Sequence, residues 1–290
     1  MDDSTEQVPP APGRHRLREQ RAIDQLWDFG DAARSEERFR EAADLAEGAH
    51  ERGVMATQLA RAIGIQGRAD EALAVLDVVE ASLSEGEGAA VGGDGAHVDP
   101  EADASPAAAG SEAEAAELRS RIDLERGRLL AALGRADDAV AALTRAVREA
   151  VAAGSTFLAL DGVHMLALDD VGHEAEWAEQ GFALLEAERD PRVLRWGVAL
   201  HNNLGWTLHD AGDAEGGLRE FERAVEAADH YGTPEQRHVA RWATGRALRT
   251  LGRTEEALAV QQALAAARPD DPYVIAEIAA LTEAGPTIEA

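Results

Sequence analysis

The sequence predicts an all-α protein, a helical-repeat solenoid of about five to six helix pairs. Three observations predict it. A short phrase recurs along the chain at near-constant spacing. Ala and Leu supply most of the 45% of residues that are hydrophobic, and aromatic residues are only 4% of the 290. Strands draw on β-branched and aromatic side chains, whereas Ala and Leu are strong helix formers.

The phrase is a Gly, a short linker, an acidic pair, then a small residue before an apolar face. It reads Gly67-Arg68-Ala69-Asp70-Glu71-Ala72-Leu73, then Gly134-Arg135-Ala136-Asp137-Asp138-Ala139-Val140, then Gly252-Arg253-Thr254-Glu255-Glu256-Ala257-Leu258. Looser copies begin at Gly172, Gly212 and Gly30. Successive glycines lie 37, 67, 38, 40 and 40 residues apart from Gly30 onward. The exception of 67 contains a low-complexity run at 84–111; removing its 28 residues leaves 39. A period of this length is the mark of stacked supersecondary units.

Each unit reads as two helices. The Gly ends the first by taking a left-handed conformation that other residues adopt at a cost. The acidic pair then falls in the first turn of the second helix, where the helix dipole favours negative charge. Apolar residues flank the Gly at helical spacing: Leu59, Ile63, Leu73 and Leu76 in one copy, Leu130, Leu133, Val140 and Leu143 in the next. One helix pair cannot bury such a face alone, so the copies must stack.

In chain order the organisation is as follows. Residues 1–19 are an acidic, Pro-containing tail expected to be disordered. Residues 20–83 hold the N-terminal repeats. Residues 84–111 are a Gly-, Ala- and acid-rich insert with no Phe, Trp or Tyr, expected to be disordered because it has little to bury. Residues 112–268 hold the C-terminal repeats. Residues 269–290 are a cap and tail, with a helix from Pro272 to Leu281 whose Val274, Ile275, Ile278 and Leu281 share a stripe.

The copy His201-Asn202-Asn203-Leu204-Gly205-Trp206-Thr207-Leu208-His209-Asp210-Ala211-Gly212, with Phe221 and Ala224, resembles the tetratricopeptide repeat. Leu204-Gly205 match its Leu-Gly step, Leu208 takes its second aromatic slot and Gly217 its Ala slot. Gly245, Leu248, Ala257 and Pro269 carry the pattern in the last copy, and Gly127, Leu130, Ala139 and Ala146 in the copy around Gly134. The copy around Gly172 departs most, with Met165 and Trp177 where small residues belong. The resemblance runs from about Arg21 to Leu281. The stretch from Asn202 to Asp210, with Ala240-Arg241-Trp242 and Gln261, also resembles bacterial proteins built only of such repeats, a group with no assigned activity.

The resemblance implies a groove lined by the first helix of each pair, at residues three, six and ten before the turn Gly. Those positions include Arg61 and Arg128, then Asn202, Trp206 and His209, then Trp242, Arg246 and Arg249. Arg offers a planar fork for carboxylate and Trp a broad apolar face. The expected ligand is another protein or a peptide, with acidic or carboxylate groups as one form. Two competing readings stay open. The arginines could pair with acids of the chain such as Asp169, Asp170, Asp210 and Glu222, or Trp206 could pack on Trp242.

Other chemistry is poorly served. There is no Cys, hence no disulfide, thiolate metal site or Cys nucleophile. All 28 basic residues are Arg, and the net charge of −27 disfavours a polyphosphate partner, so no nucleic acid is expected. Without Lys there is no Walker-type phosphate loop, and His173-Glu174 lacks the second His of a zinc helix. No catalytic residue, metal or cofactor is expected. No stretch is long and apolar enough for a membrane span, and the first residues lack the apolar core of a secretory signal, so the expected setting is cytoplasmic. The functional expectation is a protein-interaction adaptor, monomeric or weakly self-associating. The alternatives are a ligand-responsive regulator that binds a small anion or short peptide in the same groove, and a self-assembling structural protein.

Overall fold

The computed structural model describes residues 20–28, 30–91 and 106–283. The tail expected at 1–19 lies outside them. Among the described residues there are helices and no strands. The chain forms two compact units, Met1–Gly162 and Val163–Ala290.

The first unit begins with a helical segment at 20–26 (α1), followed by α2 (Ala32–Leu45), α3 (Ala49–Ile65), α4 (Ala69–Val91), α5 (Pro106–Ala132) and α6 (Ala136–Ala152). Helix α7 (Thr156–Asp169) crosses the boundary. The second unit continues with α8 (Glu174–Glu186), the single turn α9 (Pro191–Leu194), α10 (Trp196–Asp210), α11 (Ala214–Tyr231), α12 (Pro234–Thr250), α13 (Thr254–Ala267) and α14 (Pro272–Glu283).

The turn glycines behave as the repeat requires. Gly67, Gly134, Gly172, Gly212 and Gly252 have φ between 73° and 96°. At Gly30, the loosest copy, Ser35 closes the turn: its hydroxyl donates to the Asp28 carbonyl and accepts from the Asp28 N–H at 2.8 Å. Acidic residues open α4, α6, α8, α11 and α13. The recurring Arg after the Gly also acquires a role. Arg68, Arg135 and Arg253 each pair with the second acid of their phrase, Glu71, Asp138 and Glu256, three residues on. These pairs sit in solvent, where water and salt screen them, so they fix the turn more than the fold.

Small residues at the crossing let the two helices of a pair approach. A Cβ on Gly127 would stand 2.5 Å from Leu143 Cγ, and one on Gly205 2.5 Å from Phe221 Cε1. A Cβ on Gly217 would stand 2.8 Å from the Gly205 carbonyl oxygen. Where the small residue is missing, Trp177 on α8 turns to the preceding loop and donates its Nε1–H to Asp170 at 2.8 Å.

Three expectations need correction. Helix extends into both ends of the expected insert, to Val91 and from Pro106, leaving 92–105 outside the described residues. The reason is local: 106–118 is rich in Ala and Glu and opens with Pro, which suits the first turn of a helix. Leu133 is exposed, because it already belongs to the turn. On α14, Ile275 is 51% exposed, and the buried stripe runs Val274, Glu277, Leu281.

Candidate binding face on the first helices

In the first unit the face formed by the first helices is ionic. Arg61 on α3 lies over the Trp27 ring, 5.4 Å from its centroid, and its Nη1 is 3.9 Å from Glu125 Oε1. Trp27 is held from behind: its Nε1–H donates to Gln58 at 3.0 Å and its ring meets Phe39 edge-on at 5.0 Å. Arg128 on α5 donates to Glu125 Oε1 at 2.7 Å and to Asp161 of α7. Glu125 is only 2% exposed, and its second oxygen is buried without a partner. Burial, reinforced by the like charge of Arg128, pushes the Arg61 guanidinium below its ordinary pKa. Arg128 is also buried, yet Asp161 and Glu125 hold its pKa above the ordinary value. Two cations and two carboxylates thus alternate along the face. The arginines expected to meet a partner's carboxylate meet the chain's own.

In the second unit the face carries rings as well as arginines: Trp206 stands at the repeat position of Arg61 and Arg128, and Trp242 one turn earlier in the next copy. Trp206 on α10 packs edge-on against the buried Phe221 at 4.9 Å and against His209 at 5.4 Å. Trp242 on α12 follows at 6.0 Å, and Tyr273 on α14 at 6.1 Å from Trp242. Tyr273 ends this ladder 69% exposed. His209 is fixed by Thr250, 2.9 Å from its Nε2, and by Asp210. Buried polar atoms without a partner here include Trp242 Nε1, Asn202 Oδ1 and the neighbouring Gln261 Oε1.

Arg246 and Arg249 converge on one carboxylate, Glu277 of α14. Arg249 donates from Nε to Oε2 at 2.7 Å and from Nη2 to Oε1 at 3.3 Å, while Arg246 donates to Oε1. Glu277 is 3% exposed. Burial pushes its pKa up, but the hydrogen bonds and charges of Arg249 and Arg246 outweigh this and hold it below the ordinary carboxylate range. Two cations against one carboxylate leave this end of the face with one net positive charge.

Both competing readings from the sequence therefore apply. The arginines pair internally, though with Glu125, Asp161 and Glu277 instead of Asp169, Asp170, Asp210 or Glu222. The two tryptophans also meet. Sequence reasoning missed Tyr273 and Glu277. The signal for Glu277 was present, since it falls three residues after Val274 and four before Leu281, on the face that α14 buries.

No family model matches the chain, and no curated protein matches it. Among solved structures it is similar to the apo form of the quorum sensor NprR from B. thuringiensis, with a TM-score of 0.53 at 12% identity over 92% of this chain and 66% of that one. The fold is a tetratricopeptide-like helical repeat. The chain spans less than two thirds of NprR. Looser likenesses are the APC/C hetero-tetramer Cut9–Hcn1 (TM-score 0.44, 13% identity, 94% of this chain and 54% of that one) and the TPR-like repeats named for a kinesin light chain of Podosopora anserina (0.31, 16%, 95% and 98%). Among the described residues, no helix of this tetratricopeptide-like chain is long and apolar enough to cross a membrane, and no cluster of His, Asp or Glu is arranged to hold a metal ion.

Proposed function

We propose that this chain is a protein-interaction module, and that its second unit holds a partner segment across the first helices α10, α12 and α14. Trp206, Trp242 and Tyr273 form the apolar anchor, as aromatic residues do at the centre of many interfaces. The observation that carries the reading is the Trp242 Nε1–H. It is buried without an acceptor among half-buried rings, and a buried polar group left unpaired costs about 1–3 kcal/mol. A partner's backbone carbonyl or carboxylate would supply the acceptor, and Asn202 Oδ1 would accept an amide N–H. The Arg246–Arg249–Glu277 cluster, with its one positive charge, favours an acceptor-rich segment. Arg61 and Arg128 take a structural part in this reading, since their carboxylates are already in place. A binding protein in the cytoplasm, without catalysis of its own, is part of the same proposal.

The test is affinity capture from the native host's lysate, comparing wild type with Trp242→Phe and Tyr273→Ala after circular dichroism shows all three folded. A partner retained by the wild type and lost or weakened on both variants supports the face. A partner bound equally by all three removes it. A second reading, a short peptide or small anion on the same face, is favoured by the net positive charge beside Glu277. Thermal melts with acetylated di- and tripeptides, phosphate and citrate decide it: a ligand at a hundred times its Kd adds about 2.7 kcal/mol, and no shift with any of them excludes it.

A further inference from the structure

A second surface of the Val163–Ala290 unit is independent of the aromatic face. Along α12, walled by α11 and α13, runs an open trough of about 940 Å³. Val225, Val260 and Leu264 contribute its apolar lining. One wall is made by Ala259, Ala263 and Ala267 of α13, four residues apart and all exposed. On α12 the trough takes Arg237, Arg241 and Thr244, whereas the aromatic face takes Trp242, Arg246 and Arg249. With 3.6 residues per turn, these two sets point about 140° apart.

The charges of the trough run against those of the chain. The net charge is −27, yet the trough is lined by Arg237, Arg241 and Arg268 with one acid, Glu222. Arg237 is bonded to backbone carbonyls at the end of α11, reaching Gly232 O at 2.7 Å and Ala228 O at 3.4 Å. No carboxylate pairs with it among the described residues. Arg241 pairs with Asp229 at 2.7 Å and Arg268 with Glu235 at 2.6 Å. Both pairs are open to solvent, a class that adds little to stability, so an incoming carboxylate can exchange for either acid at little cost. His238 is not available, because Asp271 holds it at 2.8 Å.

We propose that this trough docks an amphipathic helix of a partner protein, apolar on one stripe and flanked by Asp or Glu. Alanines lining one wall allow helix axes to approach within about 8–10 Å. From Ala259 to Ala267 the wall rises about 12 Å, the length of about two helical turns. A small apolar carboxylate fits less well, since small-ligand sites bury most of their ligand and here the alanine wall is exposed along its length. With the aromatic face also in use, the unit would join two different segments at once.

The experiment is selection of a displayed library of helical peptides, randomised at stripe and flank positions, against the full chain. Binders are then titrated against Ala263→Arg, which fills the trough from an exposed position, against the double change Arg241→Glu with Arg268→Glu, and against Tyr273→Ala, which touches only the other face. Thermal melts establish that each variant is folded, and the charge-reversal pair serves if Ala263→Arg is not. Oleate is titrated in parallel. The expected result is peptides with a Leu, Ile or Val stripe flanked by acids. They should weaken at least tenfold on Ala263→Arg and on the charge reversal, bind Tyr273→Ala unchanged, and lose affinity as salt rises. Peptides rich in Lys and Arg, peptides indifferent to both trough variants, or no binder at all would overturn the proposal. So would oleate binding abolished by Ala263→Arg, which would make the trough a site for a small apolar carboxylate.

Discussion

The first helices before Gly162 and those after Val163 occupy equivalent places in the repeat, and both carry paired arginines, but only the second set adds a ladder of rings. In the first unit Arg61, Glu125, Arg128 and Asp161 alternate in charge and satisfy one another, leaving one orphaned oxygen. In the second, Trp206, Trp242 and Tyr273 form a ladder that ends in solvent, and one indole N–H has nothing to bond. A repeat scaffold fixes where its side chains point and leaves their chemistry free. The first unit uses that freedom to close itself, because buried ions are tolerated only when paired. The second retains a face whose polar needs are incompletely met from within, and the proposed partner segment is what would complete it.

The largest test of this contrast is Arg128→Met. It strands Glu125 and Asp161, and breaking a buried pair costs about 3–5 kcal/mol. Arg246→Met should cost about 1 kcal/mol or less, since Arg249 still holds Glu277 and the Arg246 side chain is 38% exposed. Urea denaturation measures both, and equal losses would break the comparison.

Glu277→Gln comes next, at about 1.5–3 kcal/mol for hydrogen bonds to a charged group. Its pH dependence has a fixed sign. The folded-state pKa is lowered, so the stabilisation is present above the unfolded-state value of about 4.3 and is lost as pH falls through the folded-state value. Melting temperatures of wild type and variant should therefore differ at pH 6 and converge as the pH falls through the lowered folded-state value. A constant difference would mean that Glu277 acts through packing.

Gly205→Ala should cost about 1–3 kcal/mol by overpacking against the Phe221 ring, and Gly127→Ala a similar amount against Leu143. Here the two units should behave alike, because the crossing belongs to the repeat and not to the face. The smallest loss of stability is expected of Trp242→Phe: it gives up some ring contact but removes a buried unpaired N–H that costs about 1–3 kcal/mol, so stability should hold or rise. A large loss in denaturation would show that the indole is structural.

The spacing of the glycines made the helix pairs legible, as did the acids after them, because both act within one turn of backbone. The crossing residues Gly127, Gly205 and Gly217 were legible for a related reason: steric room at a recurring contact is written in most copies, the one around Gly172 excepted. The site was legible only in outline. The positions of Trp206, Trp242, Arg246 and Arg249 on the first helices follow from their distance to the turn. Their partners do not, since Glu277 lies 28 residues beyond Arg249 and Asp161 lies 33 beyond Arg128. A patch of arginines therefore looked basic in the sequence and is largely neutralised in the fold. The trough along α12 was not legible at all, because it is a space between three helices and belongs to no single periodic stripe.

By itself the sequence determined the all-α repeat, its period, the turn conformations and which helix of each pair carries the unusual side chains. These depend on backbone propensity and on contacts that recur locally. Only the tertiary structure decided which charges cancel, which ring stacks on which, and that α14 brings a carboxylate to two arginines of α12. Those outcomes depend on distances of a few ångströms between residues tens of positions apart, and such distances are set by how the helices stack.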